Sequence, residues 1–167
     1  MKTEERNGKK FLLFAIMALI HSIAFGQPKQ HQKNALLEEA KKAIATSNAI
    51  YFTSYAKNDG SILNHYAEDA CLLGPNAPIM CGREAAAKFF KEAYETYGVR
   101  GGKFITVNVY GDGHEYVTEE GLYQSFDANG KLFDEGKFLV LWKKTKDGWK
   151  MFRDSFSSNR AIDVDKK

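Results

Sequence analysis

Between residues 34 and 57 apolar side chains recur every three or four positions, at Leu37, Ala40, Ile44, Tyr51 and Tyr55. That period draws one stripe along an α-helix. Asn34 stands where a side chain can cap the helix, and Asn58-Asp59-Gly60 ends it. Asn48 falls on the same stripe, so it needs a hydrogen-bond partner or a place in a pocket wall. The pattern predicts a short second helix with Ile62, Leu63 and Tyr66 turned inward. A third helix is expected from Gly82-Arg83-Glu84 to about Tyr97, with Ala86, Phe90, Ala93, Tyr94 and Tyr97 on its apolar face.

The period then changes. From about residue 103 the chain is rich in Val, Ile, Phe, Tyr, Trp and Thr, as strands require. It is cut by Asp112-Gly113, Asn129-Gly130 and Asp147-Gly148. These dipeptides suit two-residue hairpin turns in which both central residues take positive φ. Four strands follow, roughly Lys103–Tyr110, His114–Asp127, Lys131–Lys146 and Trp149–Ser158, forming one antiparallel meander. Ala70–Leu73 and Ile79–Cys81 make a smaller hairpin. The predicted class is α+β, three N-terminal helices packed on a curved antiparallel sheet, a cone-like arrangement that encloses a pocket.

Alternation sorts the strand residues by face. Phe138, Val140 and Trp142 share one face of the third long strand. Phe133, Leu139 and Leu141, with Glu135 and Lys137 between them, share the other. On the last strand Phe152, Asp154 and Phe156 fall together, opposite Trp149, Met151, Arg153 and Ser155. A single bulge exchanges the faces, so the face that lines the pocket stays open at this point.

The two cysteines lie across the small hairpin. If it turns at Asn76, opposed residues have numbers that sum to 152, and Cys71 and Cys81 face each other within disulfide range. Two free thiols, or a slipped register, are the alternative.

The ends read differently from the middle. Residues 1–10 carry Lys2, Arg6, Lys9 and Lys10. Phe11–Phe25 is an almost unbroken apolar run, and Ala24-Phe25-Gly26 offers small residues for a peptidase. This is the pattern of a secretory signal peptide, residues 1–26, cleaved before Gln27. Fifteen residues are short of the ~20 that a membrane span needs. The expected organisation is a polar disordered leader over 27–33, one domain over 34–159 and a polar tail over 160–167. Removing the signal peptide lowers the net charge from +3 to +1. With no basic block left, the composition offers nothing for nucleic acid or for a membrane after cleavage. Export would place the cysteines in an oxidising compartment.

Candidate chemistry is sparse. His31, His65 and His114 show no ligand spacing, and neither C-x-x-C nor H-E-x-x-H occurs, so no metal and no cofactor is expected. No G-x-S-x-G elbow or phosphate-cradling loop occurs either. The candidate catalytic residue is Asp154. A carboxylate between two phenylalanines is poorly solvated if that face is inward, which raises its pKa and suits it to acid–base work. A structural Asp accepting hydrogen bonds is the competing reading. Tyr51, Tyr55, Tyr94, Phe138, Trp142 and Phe156 are the candidate aromatic wall for a small, partly apolar ligand, or simply core.

The ordered set of motifs is more telling than any one of them. Asn58-Asp59, Tyr66-Ala67-Glu68-Asp69-Ala70, the proline-containing hairpin and Gly82-Arg83-Glu84-Ala85 come first. Gly121-x-Tyr123, Gly136-Lys137-x-Leu139-x-x-Trp142, Gly148-Trp149 and Asp154 follow. Together they resemble the nuclear transport factor 2-like superfamily, especially its SnoaL-like domains, over about Leu36 to Asn159. The resemblance implies a cone-shaped α+β fold, often a homodimer packed through the outer sheet face. It implies little about chemistry, because the fold carries isomerases, cyclases, hydratases and binders. Ketosteroid isomerases of that fold use an Asp base, a Tyr and a protonated Asp. Aligned on this chain, those roles fall at Gly74, near Ile50 and near Val140, so at least two are empty. Three readings follow. They are a small-molecule binder, a SnoaL-like isomerase, cyclase or hydrolase using Asp154, and a dimeric scaffold.

Overall fold

The computed structural model describes residues 27–160. The predicted signal peptide and nearly all of the predicted tail lie outside them. The chain divides into two units, Met1–Ala35 and Leu36–Lys167. Among the described residues there are two α-helices rather than the three expected. They are α1 (Gln27–Ala56) and α2 (Arg83–Glu95), with a 3-10 helix at Ser61–His65 in place of the second. Helix α1 begins at Gln27, so it runs through the stretch expected to be a disordered leader. Asn34 lies inside it rather than at its cap. The apolar stripe holds: Ala40, Ile44, Tyr51 and Tyr55 are all buried.

The six strands are β1 (Tyr66–Leu73), β2 (Met80–Cys81), β3 (Gly101–Gly111), β4 (Tyr116–Phe126), β5 (Leu132–Thr145) and β6 (Gly148–Ser158). They form a single sheet in the order β2-β1-β6-β5-β4-β3. The meander of β3 to β6 is the one predicted. Strand β1 is the surprise. It starts at Tyr66, which was expected on a helix, and it pairs parallel with β6. Glu68 and Asp69 therefore sit on β1, where they meet Arg83 at 3.3 Å and Lys143 at 3.0 Å.

The hairpins use glycine differently from the expected two-residue turns. At Asn129-Gly130 and Asp147-Gly148 only the glycine takes positive φ, 73° and 92°. That is the habit of a type I turn closed by a left-handed glycine. Asp127 Oδ1 accepts the backbone N–H groups of Asn129 and Lys131, which locks the first of these turns. In the small hairpin Asn76 itself is left-handed, φ 57°. Cys71 pairs with Cys81, Leu72 pairs with Met80, and the two cysteines form a disulfide.

Ladder registers slip in four places, and each bulge adds twist and bend to the sheet. One lies between Leu141 and Trp142, where Trp142 pairs with Met151 but Leu141 pairs with Arg153. Phe152 is the extra residue. Trp149 and Met151 before it, and Asp154 two residues after it, consequently share the inner face. Phe152 turns outward against Tyr116, with its ring under Lys143 and Arg153. The expected grouping of Phe152 with Asp154 and Phe156 is thus broken at Phe152.

The core lies between α1, α2 and the inner face, and Trp142, Ile44, Leu72, Met151 and Val117 are its most buried apolar side chains. Helix α2 buries Ala86 and Phe90, but it stops at Glu95. Tyr97, expected on its apolar face, is 59% exposed. Gly121 sits under the ring of Phe138, whose Cζ would lie 2.5 Å from an added Cβ. The outer face leaves Ile105, Val107, Leu122 and Leu139 exposed.

Candidate functional site

The inner face carries two carboxyl groups, from Glu119 on β4 and Asp154 on β6. Val140 of β5 pairs with both, so they flank it in one row across the sheet. Their surroundings differ. Glu119 is fully buried. Its Oε1 accepts from Asn48 Nδ2 at 2.7 Å and from Thr106 Oγ1 at 2.6 Å, and its Oε2 accepts from Trp142 Nε1 at 2.9 Å. Burial raises the Glu119 pKa, and the three donors pull it back. Asn48 thus finds the partner that its place on the apolar stripe demanded, although its Oδ1 is buried without one.

Asp154 is half-buried. Its Oδ2 accepts from the Tyr66 hydroxyl at 2.7 Å, and that hydroxyl in turn lies 2.7 Å from the Tyr51 hydroxyl. No donor among the described residues meets its Oδ1. Burial pushes the Asp154 pKa up to about 6, the Tyr66 bond lowers it, and the negative charge of Glu119 adds to the rise. Tyr51 and Tyr66 are both held well above the usual phenol range, chiefly by burial and then by the charge on Asp154. A carboxyl group that titrates near neutrality at the end of a two-tyrosine chain can hold or release a proton. It can also take a hydrogen bond from a ligand through Oδ1.

The other predicted site residues separate. Phe156 lies two positions beyond Asp154 and stacks edgewise against Tyr123, with Phe89 nearby. Tyr55 faces Tyr94 and Phe90, and its hydroxyl donates to the Val99 carbonyl at 3.3 Å. Burial pushes the Tyr55 pKa up to about 12. Tyr94 is covered by the Arg100 guanidinium, 3.8 Å from its ring centre. Phe138 packs on Phe104, and Trp142 is wholly buried as the Glu119 donor. The structure therefore joins Tyr51 and Phe156 to Asp154, and places Tyr55, Tyr94, Phe138 and Trp142 in core packing around it.

Two residues of the site went unread in the sequence. The sequence pattern marks Tyr66 only as an inward residue of a short helix, and the strand faces drawn from it do not include Glu119. The alternation Val117, Glu119, Gly121, Tyr123 puts that carboxylate on an otherwise apolar face, a signal comparable to the one that marked Asp154.

None of the three expected isomerase positions carries the side chain its role requires. Gly74 lies against the Phe156 ring, 3.1 Å from an added Cβ. Val140 is buried between the two carboxyl groups. Ile50 is 53% exposed, and it is the next residue, Tyr51, that turns inward. Clefts on the surface are lined by Tyr55 and Phe90, by Phe138, Ser155 and Phe156, and by Ser47 and Trp149; none of these three is lined by Asp154. Among the described residues no three His, Cys, Asp or Glu side chains group closely enough to hold a metal ion.

Solved structures with the same arrangement of helices and sheet identify the fold. A nuclear transport factor 2-like protein with a cystatin-like fold from Novosphingobium aromaticivorans superposes with a TM-score of 0.63 at 14% identity, over 84% of this chain and 96% of that one. The fold is cystatin-like and nuclear transport factor 2-like. A domain of unknown function with a cystatin-like fold from Nostoc punctiforme gives 0.62 at 14% identity, over 76% of this chain and 82% of that one. A ketosteroid isomerase-like protein from Erwinia carotovora atroseptica gives 0.56 at 20% identity, over 76% and 96%. No family model and no curated protein matches the chain. The disulfide is compatible with an exported protein. No helix among the described residues is long and apolar enough to cross a membrane.

Proposed function

We propose that this nuclear transport factor 2-like protein is exported and binds a small, partly apolar molecule at the inner face of its sheet, with Asp154 receiving the ligand's polar group. The observation that carries this reading is the Tyr51–Tyr66–Asp154 chain. Its tyrosine hydroxyls are mutually satisfied, and its carboxyl group is satisfied on one oxygen only. Phe156, two residues further along the same face of β6, supplies apolar surface and packs on Tyr123. The leader pattern of residues 1–26 and the Cys71–Cys81 disulfide support export.

Acid–base catalysis at the same carboxyl is the second reading, favoured by the Asp154 pKa of about 6. It would be a different reaction from that of the ketosteroid isomerases, because Gly74 and Val140 cannot serve as base and donor. Dimerisation through the outer face, in a supporting role, fits the exposed Ile105, Val107, Leu122 and Leu139. Leu139 comes from the predicted outer set, in which Leu141 and Phe133 are half-buried and Glu135 and Lys137 exposed.

Native mass spectrometry of the protein purified from its own host tests the first reading. A small molecule retained by the wild type and lost in Asp154→Asn and Tyr66→Phe is the expected result. Equal retention by all three proteins contradicts it. Light scattering on the same sample tests the dimer.

A further inference from the structure

A second polar site lies away from Asp154, where the middle of α1, the 3-10 helix and the β5–β6 turn enclose a cleft of about 530 Å³. His65, buried to 6% exposure, forms its floor. One ring nitrogen, Nδ1, meets Ser47 Oγ at 2.7 Å, and the other, Nε2, meets Ser54 Oγ at 3.2 Å. Trp149 walls the cleft. The residue is 7% exposed, and its indole Nε1 is buried with no hydrogen-bond partner among the described residues. An indole nitrogen is a donor only, and buried donors are almost always paired.

The rest of the lining is also donor-rich. Lys57 and Lys150 contribute two ammonium groups, and Asp147 is the single carboxylate. Lys150 Nζ gives one hydrogen bond to the Asn64 carbonyl at 2.6 Å, which leaves it two further N–H groups. Ile50, 53% exposed, and Ala43 add apolar surface. An unpaired buried N–H, two cations against one anion, and an exposed aliphatic chain describe a complementary ligand. It has an acidic head and a short apolar body.

We propose that this cleft binds a small organic anion, its acidic group held by the Trp149 indole N–H and the Lys57 and Lys150 ammonium groups. The site is independent of Asp154, which does not line it.

The chain has only two tryptophans, so the indole N–H region of a nitrogen-15 proton spectrum holds two signals. Trp149→Phe assigns them. Titration of the full chain with benzoate and with phenyl phosphate should move the Trp149 signal saturably. Trp142 lies on the neighbouring strand, but its indole N–H is already held by Glu119 Oε2, so its signal should move far less and report an intact fold. Benzyl alcohol, which lacks the charge, should move neither. Lys57→Gln combined with Lys150→Gln should weaken binding about tenfold, as loss of charge-assisted hydrogen bonds requires. Asp147→Asn should tighten it, and Asp154→Asn should leave it unchanged, so the two sites fail or stand separately. The proposal is overturned if no anion moves the Trp149 signal saturably, if benzyl alcohol moves it equally, or if the double lysine variant binds as the wild type does.

Discussion

Glu119 and Asp154 are both acids on the inner face of one sheet, each beside Val140, yet they have opposite surroundings. Glu119 has no exposure and three neutral donors. Asp154 is half-buried, with one donor that is itself engaged by a second tyrosine. A buried carboxylate whose oxygens are both engaged is part of the architecture, because any change leaves its donors unpaired. A raised, partly engaged carboxylate is a burden on stability that a fold tolerates where the group has work to do. The contrast leaves the β4 side of the row as architecture and the β6 side as the place the proposed function uses.

The largest expected effect is on the Glu119 side. Glu119→Ala strands the N–H donors of Asn48 and Trp142 and leaves a void. It should lower unfolding free energy by about 3 kcal/mol or more, read by urea denaturation. A loss below ~1 kcal/mol would erase the contrast with Asp154. Next is the disulfide. Cys71 pairs with Arg153 and the neighbouring Leu72 pairs with Asp154, so the crosslink tethers the strand that faces the proposed site. Reduction, or Cys71→Ser with Cys81→Ser, should cost about 2–3 kcal/mol for so short a loop, and should loosen amide exchange in β1 before β4.

Tyr66→Phe removes the one donor to Asp154 among the described residues while keeping the ring. It should cost about 1 kcal/mol. It should also raise the Asp154 pKa further, since the lost bond favoured the ionised form. Carboxyl carbon NMR would show this as a midpoint above about 6.

A further effect is on pH dependence. The folded-state pKa of Asp154 is raised, so the native state binds the proton more tightly than the unfolded chain does. The resulting stability is greatest at low pH and is lost as pH rises from about 4 through about 6. Glu119 is raised too and contributes with the same sign. Unfolding free energy should fall by up to about 3 kcal/mol across that window from Asp154 alone, and Asp154→Asn should flatten that part of the curve.

Much of the fold is legible along the chain because it is local. The helix stripe from Ala40 to Tyr55, the glycine turns and the opposed cysteines each depend on residues close in sequence. The parallel pairing of β1 with β6 depends on residues more than eighty positions apart, and no local period announces it. The position of Tyr66 on a strand was hidden for the same reason. Half of the candidate site was readable. Asp154 and Tyr51 stand out as a polar group among phenylalanines and a tyrosine on a buried stripe. The face of Asp154 was not readable, because the bulge at Phe152 resets the alternation, and a bulge leaves no mark in the hydrophobic pattern.

Urea denaturation of Asp154→Asn at pH 7.5 tests the assignment most directly. If Asp154 is held ionised in a half-buried place for function, the neutral isostere should be more stable than the wild type, by about 1 kcal/mol. A variant less stable than the wild type would make Asp154 a structural acceptor like Glu119, and the contrast between the two carboxyl groups would be gone.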